Sequence, residues 1–162
     1  MRVVSVLLVL AFATLPSWAQ EPETDRVLRL VAALESSPLS GDSTQQREWL
    51  LEWLTQTEDY TVVVCDILGP IPSTDVPYGR ELLVQSLFGN VAYQIKNPGV
   101  DPTLSQLAGV ESVLRAYSAI LKQDPGARIA YFDELVALQQ RGGLAERLTP
   151  IVAEKCRSDS GA

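Results

Sequence analysis

Residues 103–123, TLSQLAGVESVLRAYSAILKQ, constrain this chain more than any other stretch. At about 100° per residue on a helix, Leu107, Val110, Val113, Leu114, Tyr117, Ile120 and Leu121 fill one broad arc. Ala108, Gly109, Ser112, Ala116 and Ala119 fill a second arc of small residues. Glu111, Arg115, Ser118 and Lys122 share a polar strip roughly 60° wide by the same rotation. A surface helix carries one apolar stripe, whereas a helix apolar nearly all round is buried. The large arc therefore fills a core, and the small arc lets a neighbouring helix approach closely. The expectation is an all-α fold, one compact helical domain of six or seven helices, with this helix near its centre.

The chain has 162 residues, enough for one domain with a real core. Residues 1–19 read as a secretory signal peptide rather than as part of that domain. Met1-Arg2 is a short basic start, Val3 to Leu15 is an apolar run too short to span a bilayer comfortably, and Ser17-Trp18-Ala19 offers small residues to a signal peptidase. The helical domain is expected over 24–157, with no stable membrane anchor. Removing Arg2 from the 13 basic residues, against 20 acidic ones, leaves a net charge of −8. That balance argues against nucleic acid, whose phosphates need a basic surface, and suits a basic protein partner. The chain contains no histidine, so imidazole catalysis and imidazole metal sites are excluded. Two cysteines alone do not close a zinc site. In an exported protein, periplasmic or extracellular, Cys65 and Cys156 are most simply one disulfide.

Taken in order, a first helix runs to about Ser36, capped by Asp25 or Thr24. The second carries Ser43 and Gln46 at capping-box spacing, and Trp49 and Trp53 one turn apart as core anchors rather than a ligand platform. Thr61-Val62-Val63-Val64 is β-branched, but nothing else in the chain reads as a partner strand. A short helix is therefore expected over about 59–68, closed by Gly69-Pro70. A further helix runs from Pro77 or Tyr78 to about Lys96. Gly89 inside it implies a close backbone contact, with the small arc of 108–119 as the candidate neighbour. Asp101 and Pro102 start the central helix as N-cap and first helical residue. Asp124-Pro125 repeats the device for a helix over 125–140. Leu144–Leu148 reads as a short piece, after which Thr149-Pro150 restarts the chain toward Cys156.

Few residues carry chemistry. Glu111 and Arg115 form an i, i+4 pair on the polar strip and are the weak binding candidates. No catalytic residue, metal ligand or cofactor motif is identified: there is no G-x-S-x-G, S-x-x-K, phosphate loop or dinucleotide fingerprint. Val113, Tyr117, Ile120 and Pro125 match the spacing of one tetratricopeptide helix, but no second copy appears, so they belong to an ordinary helix hairpin. Trp49 and Trp53, Val64-Cys65, Ala108-Gly109-x-Glu111-x2-Leu114-x2-Tyr117-x2-Ile120-Leu121 and Cys156 give an arrangement that resembles uncharacterised secreted bacterial helical proteins. That resemblance implies a secreted helical fold and no particular activity. The functional expectation is a non-enzymatic binding or interaction protein. The alternative is a carboxylate-dependent hydrolase using Glu111 in a helical cleft.

Overall fold

The computed structural model describes residues 21–73 and 75–156; the expected signal segment, residues 1–19, lies outside them. Among the described residues there are six helices and no strand. They are α1 (Glu23–Ser36), α2 (Ser43–Gln56), α3 (Gly79–Lys96), α4 (Pro102–Gln123), α5 (Ala130–Gln140) and α6 (Leu144–Lys155). The described residues fold as one all-helical domain.

The central position of α4 follows from its two arcs. Val110 and Val113 are fully buried, and Leu114, Tyr117 and Ile120 are nearly so. Glu111, Arg115, Ser118 and Lys122 remain at least partly accessible, as the rotation requires. Asp101 accepts a 2.7 Å hydrogen bond from the Thr103 N–H, with Pro102 as the first helical residue. The short 97–101 turn lays α3 antiparallel against α4, and this pair makes the most extensive helix contact in the molecule. A Cβ built at Gly89 would sit 2.2 Å from the Ser112 Cβ, and one at Gly109 would sit 2.6 Å from the Ser86 carbonyl oxygen. Both glycines are therefore required by backbone approach.

Two apolar clusters form around this pair. One joins the large arc of α4 to Phe132 and Leu135 of α5, Leu144, Leu148 and Val152 of α6, Leu82 of α3, and Ile67, Leu68 and Ile71. The other joins Val27, Leu30, Val31 and Leu34 of α1 to Leu50 of α2 and Phe88, Val91 and Ala92 of α3. Thus α3 contributes to both, while the buried apolar residues of α1 and α2 belong to the second and Leu39, in the turn between them, packs on the first.

Several local expectations are corrected. Residues 59–68 form neither helix nor strand. The β-branched run resists helix, and with no partner strand its carbonyls go to side chains. Gln94 Nε2 donates to the Thr61 oxygen at 2.9 Å, and Gln106 Nε2 donates to the Val63 oxygen at 2.8 Å. Helix α1 begins at Glu23 after Pro22, with no side-chain cap. At the start of α2, Gln46 reaches back to the Asp42 carboxylate, not to Ser43, whose hydroxyl instead accepts from Arg47. Asp124-Pro125 does not open a helix, and α5 starts only at Ala130. Asp124 Oδ1 instead accepts from the Gly126 N–H at 3.1 Å, and the Tyr117 hydroxyl accepts from the Ile129 N–H at 2.9 Å. These bonds tie 124–129 into a turn that buries Ala127 and Ile129 against the core. Finally, α6 runs unbroken through Pro150. Its apolar face, Leu144, Leu148 and Val152, is anchored on both sides of the proline and offsets the one backbone bond that proline cannot donate.

The disulfide is formed. Cys65 and Cys156 are joined with 5.1 Å between their Cα atoms and 91 positions between them in sequence. It fastens the irregular 57–68 connector to the end of α6. Closing so long a loop is worth roughly 4–5 kcal/mol in the chain-entropy account.

Candidate functional site: an acidic, aromatic groove beside α2

The sequence candidates Glu111 and Arg115 meet on the polar strip of α4, but only loosely, at 3.9 Å. The closer partner of Arg115 comes from α1. Glu35 receives two parallel bonds from the guanidinium, Nε to Oε2 and Nη2 to Oε1, each 2.8 Å. Glu35 Oε1 also accepts from the Ser112 hydroxyl at 2.7 Å, and Ser112 Oγ accepts from Gln85 Nε2 at 2.9 Å. Ser112 and Gln85 are buried at the α3–α4 contact. The resulting chain, Gln85–Ser112–Glu35–Arg115, links three helices and satisfies polar groups that burial would otherwise leave unpaired. The Glu35 carboxylate holds the Arg115 guanidinium above its ordinary pKa, against the opposing effect of burial. Arg115 and Glu35 border a depression of only about 90 Å³. Both carboxylates that contact Arg115 are engaged by its positive charge, and the depression is far smaller than a usual small-molecule cleft. This cluster is a structural tie between helices.

A larger opening lies at the N-terminal end of α1. Glu23 and Thr24 of α1, Trp49, Glu52, Trp53 and Gln56 of α2, and the Thr57–Tyr60 run of the connector surround a groove of about 630 Å³. Helical spacing explains the α2 wall, since Trp49, Glu52, Trp53 and Gln56 fall three and four residues apart on one face. Both tryptophans pack their inner edges on the second apolar cluster and stay half-buried. They are core anchors on one side and groove wall on the other.

The aromatic geometry is well defined. Trp53 Nε1 donates to Glu23 Oε2 at 3.2 Å, which fixes the indole across the α1–α2 pair. Its ring lies 5.9 Å from that of Tyr60, tilted by 39°. The Arg26 guanidinium sits 3.9 Å from the centre of the Trp49 ring. The acidic side chains are Glu23, Glu52, Glu58 and Asp59, all exposed. Among the described residues none of the four forms an ion pair; Glu52 accepts from Gln56 at 3.3 Å. The groove thus presents four carboxylates and three aromatic rings. It has no thiol and no imidazole, and among the described residues no group of three or more candidate ligands is placed to hold a metal ion. Chemically it can attract, stack and hydrogen-bond a cation.

The sequence hid this site for a physical reason. Trp49 and Trp53 carry the ordinary signature of core anchors, while Tyr60, Glu58 and Asp59 lie on a connector with no periodicity to show which way it faces. The one legible signal was the coincidence of Glu52 with Trp49 and Trp53 on a single helical face. No helix of the described residues is long and apolar enough to cross a membrane. No protein-family model matches the chain, and neither does any curated protein or solved structure.

Proposed function

We propose that this chain is an exported, non-enzymatic binding protein that takes a basic protein partner on the groove between α1, α2 and the 57–60 connector. The observation that carries the reading is the pairing of four carboxylates, none of them in an ion pair among the described residues, with Trp49, Trp53 and Tyr60 around one opening. Aromatic rings supply contact area and attract cations through their faces, while the carboxylates steer and orient them. The disulfide supports export, because such bonds persist in oxidising compartments.

Immobilised polylysine and polyglutamate test the proposal at about 0.02 and about 0.2 M salt, a range over which screening shortens the reach of charge severalfold. The protein should bind polylysine alone, and more slowly at the higher salt. Glu58→Gln with Asp59→Asn should weaken capture more than Glu146→Gln with Glu154→Gln, which removes equal charge from α6. Equal losses in the two double variants, or binding indifferent to salt, would sink the proposal and leave the charge as a means of solubility only.

A further inference from the structure

From the groove geometry we infer that the partner's anchoring group is an arginine side chain, seated against Trp53 and Tyr60. This inference rests on the proposed function and names the chemistry by which that same groove recognises its partner.

The protein already makes one such contact with itself. Arg26 lays its guanidinium on the Trp49 face, 3.9 Å from the ring centre. The next indole along the same helical face, Trp53, has its N–H held by Glu23 and its ring braced against Tyr60. Among the described residues, no cation stacks on Trp53 or Tyr60. The fixed ring therefore offers a second stacking position beside the one Arg26 occupies. Glu52 lies one residue before Trp53, and Glu58 and Asp59 immediately precede Tyr60. Carboxylates from both the helix and the connector line the same opening as the two rings.

A guanidinium matches this setting better than an ammonium. It is planar, so it stacks on a ring while its edge keeps five N–H donors free for surrounding carboxylates. It is also less strongly hydrated, so it gives up water more readily at a half-buried wall. An ammonium is a compact point charge that keeps its water and gains little from a flat surface. Net charge alone attracts both equally, and the aromatic pair is what separates them.

Hexa-arginine, hexa-lysine and hexa-citrulline are the probes, titrated into the disulfide-bonded protein by calorimetry and tryptophan fluorescence. Hexa-arginine should bind roughly fivefold tighter than hexa-lysine at equal salt, with hexa-citrulline far weaker than either. Trp53→Leu should erase the difference between arginine and lysine while leaving the salt dependence. Should Trp53→Leu fold poorly, Tyr60→Leu, on the connector, gives the same readout. Glu58→Gln with Asp59→Asn should weaken both cationic peptides together. Equal binding of arginine and lysine, with salt dependence intact, overturns the arginine anchor and leaves the acidic docking groove standing. No binding of either cationic peptide overturns both.

Discussion

Replacing Gly89 by alanine sets two effects against each other. Alanine is the better helix former by about 1 kcal/mol in a helix interior. The added Cβ, however, would lie 2.2 Å from the Ser112 Cβ, 2.7 Å from its hydroxyl oxygen and 3.2 Å from the Ala108 carbonyl oxygen. Ordinary carbon contacts are about 3.5–4.0 Å, so the helices must part by roughly 1.3–1.8 Å at this point. Overpacking of that kind costs about 1–3 kcal/mol. Parting α3 from α4 also stretches the two hydrogen bonds of the Ser112 hydroxyl, to Gln85 and Glu35, each worth about 1 kcal/mol. The clash wins, and the net loss is about 2–4 kcal/mol once the gain in propensity is subtracted. At roughly 3–5 °C per kcal/mol for a domain of this size, Gly89→Ala should melt on the order of 10 °C below the parent. Gly41→Ala is the control, because nothing lies within 4 Å of the Cβ it would add. Adding Ser112→Gly to Gly89→Ala removes the opposing Cβ and should recover part of the loss. A Gly89→Ala protein that melts at or above the parent would refute the account of the α3–α4 contact.

Three further predictions concern other ties in the fold. Arg115→Ala strips the two guanidinium bonds from Glu35, whose side chain is only 18% exposed, and should cost about 1–2 kcal/mol in urea unfolding after allowing for partial solvent screening; Arg115→Lys should restore less than half, since lysine lacks the fork. Thiol counting on denatured, unreduced protein should find no free cysteine, and reduction should lower the melting temperature with little change in helical circular dichroism at room temperature; unchanged melting would mean that the Cys65–Cys156 link constrains nothing. Asp101 is held below the usual carboxylate range by the Thr103 side chain and backbone N–H, so its contribution is complete above its ordinary pKa and lost as pH falls through the lowered one. Asp101→Ala should therefore melt below the parent at neutral pH, and the two curves should converge in acid; a constant gap at every pH would contradict this.

The elements most legible in the sequence were those that local rules determine. The burial of α4, its Asp101-Pro102 start and the close approach at Gly89 all follow from spacing and residue size within a few turns. The disulfide followed from a pair of cysteines and the expected export. What escaped was decided by distant partners. Arg115 looked like the mate of Glu111 because both lie on one helix, yet Glu35, on α1, supplies the better geometry. In the sequence the 59–68 stretch reads as helix or strand. It is neither, because Gln94 and Gln106 take on the carbonyls that a ladder would have used. Proline marked a break at Pro150 in the sequence, but Leu148 and Val152 pack on the same core from either side of it and hold the helix together. The groove needed three separate segments to come together, and no single window of sequence contains it.

The connector from Thr57 to Cys65 has a consequence for how this protein can vary. Its near end is set by Tyr60 against Trp53, its middle by two glutamine amides, and its far end by the bond to Cys156. Thr61, Val63 and Val64 are exposed. Substitution there is cheap, whereas adding or removing a single residue would put Thr61 and Val63 out of step with Gln94 and Gln106. The stretch behaves as a measured span: free in composition at its outward positions, fixed in length.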